Sequence, residues 1–476
     1  MLRGLIVLLG WLVAFSASSA GFERLGTLAD QGFRISVQAR LLDDGQLLGS
    51  IEPDRQLTPA SVTKLYTAAA VLDRFGPQHH FTTRLVSGGR LDAEGVLQGD
   101  LVLDGGGDPG LVSEDLWRLV QQLRGRGLKR INGQLVINQW RFGPVECLTP
   151  DRCRARSRAD NAYSALLSSA GVNHGSWCLQ VRPGARAATP ALVDSCANGS
   201  PLERIDNQVK TLLADEPSDF QAVRLTDDQG DRLVVQGHIA ANGGNRELYR
   251  ASADPAHQTG VTLLSLLEQG GIEVDQGMVS SSQTPATGAR TLASVQGRSM
   301  QALILDMLNY SNNFMADVLS LDLVESPQAS LSQAGQALEA FVAGIPDHGP
   351  VTLHSGSGLT ADNRTSAQGI TALLEAMYRR PALFPSLVAG MQSPANGPMT
   401  FLRRGGDVFQ HNVMVKTGTL SQPVAVRAMG GYLRTREGRW GVFGMLVNGT
   451  NKTPYLSWSR VLDLLSADLE DMIVAN

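Results

Sequence analysis

The chain has 476 residues, of which 43% are hydrophobic and 18% are charged, and its formal net charge is −4. This profile is typical of a folded chain that is long enough for two or three domains. The near balance of charge, with no basic tract and no aromatic platform, argues against a nucleic-acid partner.

Residues 1–20 have the pattern of a secretory signal peptide. Arg3 supplies the positive start, residues 5–15 form an apolar run, and small residues precede a cleavage position after Ala20. An uncleaved membrane anchor is the alternative, but the run is shorter than the roughly 20 residues that cross a bilayer. We therefore expect a mature chain, 21–476, in the periplasm, either soluble or loosely membrane-associated and without an integral membrane anchor.

The first elements after the leader predict a β-hairpin followed by a helix. Residues 33–42 alternate as a strand does, and a second strand near 46–51 follows a turn at Gly45. An Ala- and Leu-rich run, 62–75, predicts a helix that ends at Gly76-Pro77. Ser61 therefore lies at a helix N-terminus, and Lys64, three residues later, shares its face.

The middle of the chain, from about 85 to 304, changes to short strands and turns rich in Gly and Asp. This length exceeds what one helical domain core needs, so we predict an inserted unit of two small domains. A Gly-x-Gly-x-x-Gly run at 105–110 suggests a dinucleotide site, but the next predicted strand, 134–138, lacks the acidic residue that such a site requires. We expect no cofactor.

All four cysteines fall within this inserted unit, at Cys147, Cys153, Cys178 and Cys196. An even number in an exported chain is typical of structural disulfides. Of the three pairings that four cysteines allow, Cys147–Cys153 with Cys178–Cys196 is favoured because both loops are short. A zinc site is the alternative, but no Cys-x-x-Cys pair occurs, and we expect no metal.

The last third of the chain returns to helices and then to strands. A helical run from Met300 leads into Ser311-Asn312-Asn313, and Lys416-Thr417-Gly418-Thr419 precedes two strand-like runs, 424–432 and 440–447. An amphipathic helix with an acidic face follows at 456–476. The two ends of the chain therefore predict one α/β domain with an antiparallel sheet.

Three short motifs that occur in this order indicate one type of reaction. They are Ser61-x-x-Lys64, Ser311-x-Asn313 and Lys416-Thr417-Gly418. A serine hydroxyl needs a neighbouring base, and Lys64 can serve only if burial and a second cation keep it neutral. Lys416 is the candidate second cation, and Ser311 is a candidate proton relay. The three motifs together predict a serine enzyme that forms an acyl-enzyme.

The remaining positions of the motifs fit substrate binding. Asn313 can hydrogen-bond a substrate amide, and Lys416 and Thr417, with Gly418, can bind a terminal carboxylate. The backbone N–H groups of Ser61 and Thr419 would form an oxyanion hole, in which the loss of one donor typically costs about 10²–10³ in rate.

The chain resembles the D-alanyl-D-alanine carboxypeptidase/endopeptidase family, the class C low-molecular-mass penicillin-binding proteins. Besides the three motifs, the likeness includes Thr58-Pro59-Ala60, 99–109, the run Ser355-Gly356-Ser357-Gly358-Leu359 and Asn363-Arg364. The resemblance implies a penicillin-binding-protein/β-lactamase-like transpeptidase domain interrupted by two small inserted domains. Matched to this chain, the expected units are the signal peptide at 1–20, the catalytic domain at 21–82 and 283–476, domain II at 83–108 and 186–282, and domain III at 109–185.

The resemblance also implies an activity and residue roles. The family removes the terminal D-Ala of peptidoglycan stem peptides and cleaves D-Ala–diaminopimelate cross-links, and β-lactam antibiotics act on it as covalent inhibitors. Ser61 corresponds to the nucleophile, Lys64 to the base and Ser311 to the relay. Asp160, ahead of Tyr163-Ser164-Ala165, matches an acidic residue that reaches the amino group of diaminopimelate; a plain surface carboxylate is the alternative.

Two other functions compete with a D,D-peptidase. A β-lactamase or an esterase would need a rapid deacylation device, and no Glu-x-x-Leu-Asn-like segment occurs in the insert. A peptidoglycan-binding or sensing module with weak catalysis is the other alternative, but every catalytic position is filled. Peptidoglycan peptides are therefore the expected partners, and a homodimer is left open.

Overall fold

The structure is a computed structural model that describes residues 21–199, 202, 204–285 and 287–476. The predicted signal peptide, 1–20, lies outside the described residues. In chain order, the strands are β1 (Arg34–Leu41), β2 (Leu47–Ile51), β3 (His80–Ser87), β4 (Arg90–Leu91), β5 (Val96–Gln98), β6 (Leu101–Asp104), β7 (Arg130–Ile131), β8 (Leu135–Asn138), β9 (Arg158–Ala159), β10 (Ser176–Arg182), β11 (Leu192–Ser195), β12 (Ile205–Leu212), β13 (Asp219–Asp227), β14 (Gly230–Ala240), β15 (Arg246–Ala251), β16 (Glu273–Val274), β17 (Met278–Ser281), β18 (Arg290–Ser299), β19 (Val413–Leu420), β20 (Val426–Arg434) and β21 (Trp440–Asn448).

The helices flank these strands at both ends of the chain and within its middle. They are α1 (Glu23–Gly26), α2 (Lys64–Phe75), α3 (Ser113–Gly125), α4 (Pro150–Arg154), α5 (Pro255–Gln269), α6 (Met300–Asn309), α7 (Asn313–Asp322), α8 (Leu331–Val342), α9 (Ala367–Tyr378), α10 (Phe384–Ala389), α11 (Asp407–Asn412) and α12 (Trp458–Ala475).

The two ends of the chain form one antiparallel sheet in the order β19-β20-β21-β1-β2. The pairing of β1 with β21 joins the N-terminal hairpin to the C-terminal strands, with Val37 opposite Met445. The predicted α/β domain built from both chain ends is confirmed. β19 lies at one edge of this sheet, which leaves its outer side open to the motif residues of α2 and α7.

Apolar residues cover both faces of this sheet, and their alternation separates two cores. On one face Met429 and Met445 pack against α12, which buries Leu462 and Leu465. On the other face, Tyr432 packs with a cluster built from α2, α6, α7, α8, α9 and α10. The result is a three-layer arrangement in which α2 is fully buried along most of its length, and the predicted amphipathic helix near the C-terminus is present as α12.

The inserted unit contains sheets of its own. β3, β6, β8, β17 and β18 form one sheet that packs on α3 and α5. β9–β15, which lie between β8 and β17 in the sequence, form two smaller sheets. The predicted boundaries of the two inserted domains stay a prediction. The strand pairing joins β6, from predicted domain II, to β8, from predicted domain III, since Leu101–Asp104 lie parallel to Leu135–Asn138.

A separate apolar cluster joins the insert to the catalytic helices. Phe142 and Leu167 of the insert pack with Phe314 and Val318 of α7 and with Leu331 of α8. Because α7 begins with Asn313, this contact brings residues 142–167 of the insert close to the second motif.

Both disulfides join the pairs favoured from the sequence, Cys147 with Cys153 and Cys178 with Cys196. Over the part of the chain that the structure describes, no helix is long and apolar enough to cross a membrane.

Candidate active site

Ser61 lies in a 3-10 turn, Ala60–Thr63, that leads directly into α2. The residue before it, Ala60, has a left-handed φ of 46°, which is uncommon for a residue with a Cβ. Gly358 packs against this turn so closely that a Cβ there would collide with the carbonyl of Ala60. The glycine-rich run 355–359 therefore holds the backbone that presents Ser61.

Lys64 is fully buried one turn after Ser61 and touches it. Its Nζ lies 2.9 Å from Ser61 Oγ, 2.7 Å from Asn313 Oδ1 and 2.8 Å from the carbonyl oxygen of Ser357. The two carbonyl-type oxygens can only accept hydrogen bonds, whereas the hydroxyl of Ser61 can also donate. A neutral amine with two N–H groups directed at those oxygens turns its lone pair toward Ser61, which is the geometry of a general base.

The surroundings of Lys64 favour this neutral form. Burial lowers the pKa of Lys64 well below its ordinary value, and the charge of Lys416 lowers it further. Arg152 adds to the same effect, while the carboxylate of Asp317 opposes it. The predicted need for burial and a second cation is thus met by the fold.

Lys416 on β19 reaches the second serine of the site. Its Nζ lies 2.9 Å from Ser311 Oγ and 2.8 Å from the carbonyl oxygen of Thr417. The side chain is fully buried, and this burial lowers its pKa to about 7. Ser311 itself has a left-handed φ of 52°, immediately before α7. The second and third motifs are thereby joined by a direct contact between side chains.

Asn313 connects the catalytic helices to the insert. Asn312 caps α7 by accepting a hydrogen bond from the N–H of Met315, which fixes the start of the helix. Asn313 then directs Oδ1 to Lys64 and donates through Nδ2 to the carbonyl oxygen of Tyr163, at 3.0 Å. Both ends of its amide are thus engaged.

The third motif runs along the open edge of the sheet. At Gly418, an added Cβ would crowd the carbonyl of Pro59 and lie 3.1 Å from the backbone nitrogen of Ser61. Only a glycine lets the strand approach the nucleophile this closely. Thr417 is buried with its hydroxyl 3.4 Å from Met399 Sδ, and Thr419 is exposed and accepts a hydrogen bond from Trp458 Nε1 at 2.8 Å.

Asp160 occupies a different setting from the other predicted site residues. Its carboxylate is exposed and pairs with Arg158, at 2.9 Å. Its sequence neighbour Tyr163 contacts Asn313 through its carbonyl, so the segment borders the site, while Asp160 itself is not among the described contacts of Ser61, Lys64 or Asn313. Its role stays a prediction.

Sequence reasoning did not identify three residues that act on Lys64, one by direct contact and two through their charge. Ser357 was part of a glycine-rich run noted only as family-like, although its carbonyl holds Lys64. Asp317 lies four residues after Asn313 on the same face of α7, a spacing that offered a signal. Arg152 belongs to a run of alternating arginines, 152–158, that the sequence shows as unusually basic, but nothing in the sequence indicates its partner Asp317, which is 165 positions away. Among the described residues, no group of His, Cys, Asp and Glu side chains is placed to hold a metal ion.

Comparison with known sequences gives one family. Residues 27–468 match the model of the D-Ala-D-Ala carboxypeptidase 3 (S13) family. The chain is 30% identical over 422 residues to the D-alanyl-D-alanine carboxypeptidase of Actinomadura sp. (strain R39), which covers 85% of this chain and 76% of that protein. It is 24% identical over 456 residues to the D-alanyl-D-alanine carboxypeptidase DacB of Haemophilus influenzae, which covers 91% of each.

Comparison with solved structures gives the same architecture. The crystal structure of penicillin binding protein 4 (dacB) from Haemophilus influenzae matches with a TM-score of 0.75 at 21% identity, over 94% of this chain and 98% of that one. The predatory peptidoglycan endopeptidase Bd3459 from Bdellovibrio bacteriovorus matches with a TM-score of 0.52 at 14% identity, over 93% and 92%. The predicted α/β penicillin-binding-protein fold is confirmed.

Proposed function

This chain belongs to the D-Ala-D-Ala carboxypeptidase 3 (S13) family, and from that premise we propose that it is a serine D,D-peptidase whose acyl-enzyme forms on Ser61. Its substrates in this proposal are peptidoglycan stem peptides, from which it removes the terminal D-Ala and in which it cleaves D-Ala–diaminopimelate cross-links. A predicted leader at 1–20 supports a periplasmic location.

One observation carries the proposal. Lys64 Nζ is buried, directs N–H groups at two oxygens that can only accept, and lies 2.9 Å from Ser61 Oγ. A neutral lysine in that position can remove the hydroxyl proton as the oxygen attacks, which activates an otherwise weak nucleophile.

The proposed first step forms the bond between Ser61 Oγ and the carbonyl carbon of the penultimate D-Ala. The proton of Ser61 passes to Lys64, and the developing oxyanion is stabilised by the backbone N–H groups of Ser61 and Thr419. The C–N bond then breaks, and the proton that Lys64 took from Ser61 passes through Ser311 to the leaving amine, which leaves Lys64 neutral; Ser311 Oγ is held by Lys416. Released D-Ala, or the released diaminopimelyl strand, leaves the acyl group on Ser61.

The second step returns the enzyme to its starting state. Water attacks the ester carbon, Lys64 accepts the proton of that water, and the bond to Ser61 Oγ breaks as the oxygen regains a proton. Each cycle consumes one water and produces one carboxylate and one amine. Lys416 and Thr417, beside Gly418 on the edge strand, bind the terminal carboxylate in this proposal, and Asn313 binds the substrate amide.

Endopeptidase activity and β-lactam acylation are the finer parts of the proposal. One solved neighbour is described as a peptidoglycan endopeptidase, and another crystal structure of it is described as acylated by penicillin G. The Haemophilus protein has been solved in complex with a β-lactam. In this chain, Asp160 is the proposed contact for the amino group of diaminopimelate.

Mass spectrometry of reaction products tests the proposal. Mature chain, 21–476, is incubated with cross-linked muropeptide dimers and with monomeric pentapeptides, and Ser61→Ala is the matched variant. We expect loss of one alanine from the pentapeptide, conversion of dimer to monomers, and neither product with Ser61→Ala.

Penicillin labelling supplies the control for that experiment. We expect a covalent adduct on wild type at Ser61 and none on Ser61→Ala, with both chains showing the same thermal unfolding. Labelling that survives the substitution would remove Ser61 from the nucleophile role. Labelling of wild type without any peptide product would favour a sensor or another amide substrate.

A further inference from the structure

A buried ion pair links the insert to the catalytic helices directly behind Lys64. Arg152 of α4 donates from its guanidinium to Asp317 Oδ2 of α7 at 2.8 Å, and the two side chains are 3% and 0% exposed. A buried ion pair is a weak source of stability, because desolvation of both charges offsets their attraction. Stability therefore does not explain why this ion pair lies beside the proposed active site.

The carboxylate of Asp317 continues from Arg152 to the catalytic lysine. Its other oxygen, Oδ1, accepts a hydrogen bond from the backbone N–H of Ser357 at 2.8 Å. The carbonyl of that same residue accepts from Lys64 Nζ, also at 2.8 Å. One carboxylate thus connects the guanidinium of the insert to the backbone unit that holds Lys64.

The insert fixes Arg152 in this position through local structure. Thr149 caps α4 and Pro150 begins it, and the neighbouring Cys153 is tied to Cys147 by a disulfide. The helix is short, so these constraints, rather than its own hydrogen bonds, determine where the guanidinium points. Arg154, two residues later on the same helix, is exposed and pairs with Asp151 instead.

Three charged groups act on Lys64 from three different elements. Lys416 approaches from β19 and Arg152 from α4, and both disfavour a proton on Lys64. Asp317 approaches from α7 and favours that proton. Because Arg152 and Asp317 act in opposite directions, removing either one alone changes the electrostatic balance at Lys64, whereas removing both restores much of it.

We propose that Arg152 is a positioning residue for the reaction at Ser61, through which the insert orients Asp317 and the Ser357 peptide that holds Lys64. This inference rests on the proposed function, since it takes Lys64 as the base. It assigns the insert a part in the chemistry as well as in substrate recognition.

The test is the pH dependence of Ser61 acylation by a fluorescent penicillin in four chains: wild type, Arg152→Gln, Asp317→Asn and the double variant. Arg152→Gln removes the cation that opposes the Asp317 carboxylate. The pKa of Lys64 therefore rises, and the acidic limb of the profile moves to higher pH. Asp317→Asn removes the carboxylate and leaves the two cations, Arg152 and Lys416. The pKa of Lys64 therefore falls, and the acidic limb moves to lower pH. We expect shifts of about one pH unit, equivalent to about tenfold in rate on that limb, and a double variant that returns toward wild type.

Matched variants separate positioning from plain structural damage. Arg154→Gln removes an arginine from the same helix without touching Asp317, and we expect no shift. Arg152→Lys restores the charge without the planar fork, and we expect it to move the limb part of the way back. Near-UV circular dichroism shows whether Arg152→Gln folds. If it does not, the pH of the acidic limb is still measured for Asp317→Asn and for the double variant.

The outcomes distinguish the inference from the function on which it rests. Wild-type labelling that is lost in Ser61→Ala establishes the premise independently of Arg152. Opposite shifts in the two single variants support the inference. Shifts in the same direction, or slower acylation with an unmoved limb in both, would overturn it while leaving the serine peptidase intact. No acylation of wild type at Ser61 would instead overturn the function.

Discussion

Two clusters of buried ionisable groups lie near the two ends of α7, and burial shifts their pKa values in opposite directions. Near the start of the helix, the side chains of Lys64 and Lys416 are buried, and each Nζ makes hydrogen bonds to defined oxygens. At its end, Asp322 and nearby Asp108 are buried carboxylates where the insert meets the catalytic helices. Burial lowers the pKa of both lysines and raises the pKa of both acids.

The two carboxyl groups of the second cluster have few hydrogen-bond partners. Within the described residues, neither carboxylate oxygen of Asp322 has a hydrogen-bond partner, although Arg141 lies 3.1 Å away as an ion-pair partner. Asp108 accepts one hydrogen bond from the N–H of Gly110, and burial raises its pKa to about 6. Burial therefore keeps both acids protonated up to a higher pH than an exposed carboxyl group.

A shifted pKa alone therefore does not mark a catalytic group. Lys64 has a shifted pKa, a nucleophile at hydrogen-bond distance and oxygens that fix its lone pair. Asp108 has the shift without a reacting partner. Substitutions in the two clusters should therefore differ in their effects on activity and on stability.

Lys64→Met should show the largest loss of activity. In the proposed mechanism this variant lacks the base that activates Ser61, so we expect acylation by penicillin to slow by about 10³–10⁴. The free energy of unfolding should not fall, because an apolar side chain replaces a buried amine whose desolvation is costly. Stopped-flow acylation and urea unfolding measure the two effects, with the exposed Lys452→Met as control. Unchanged acylation would contradict the assigned base.

Lys416→Met should lower activity and raise stability. The folded chain carries a penalty for charging Lys416 at every pH below its pKa of about 7, and the penalty vanishes as the pH rises to the ordinary value of 10.5. The variant should therefore be more stable by on the order of a few kcal/mol near pH 6, with the gain fading toward pH 10. A gain that grew with pH would contradict this sign.

Asp108→Asn should stabilise the fold without a large effect on acylation. Its pKa of about 6 lies above the ordinary 3.8, so the folded state is penalised above pH 6 and not below the ordinary value. We expect a gain of roughly 2–3 kcal/mol at pH 7 that disappears near pH 3.5. Thermal unfolding against pH measures it, with exposed Asp228→Asn as control; a gain that persists in acid would point to packing instead.

Asp160→Asn should have the smallest effect, confined to binding. The side chain is exposed and its ion pair with Arg158 is a surface one, so unfolding should not change measurably. We expect a KM several-fold higher for substrates with a free diaminopimelyl amine and no change for those with the amine acetylated. Equal changes for both substrates would support a plain surface carboxylate.

The sequence predicted the architecture well where periodicity and motifs are local. The hairpin at 33–51, the helix through residue 75, the C-terminal strands and the helix after 456 all appear in the structure. The cysteine pairs favoured by loop length are the ones that form. The strand pairing within the insert was less predictable, because β6 and β8 are short and their parallel pairing depends on distant neighbours.

The residue types proposed for the chemistry can be read from the linear sequence, because three short motifs specify two serines, two lysines and an asparagine in a fixed order. How those groups are charged and held depends on the folded chain. The approach of Lys416 to Lys64, the contact of Lys64 with the Ser357 carbonyl and the ion pair of Arg152 with Asp317 all join segments that are distant in the chain. Charge interactions depend on distance and solvent in three dimensions, and neither can be read from a linear spacing.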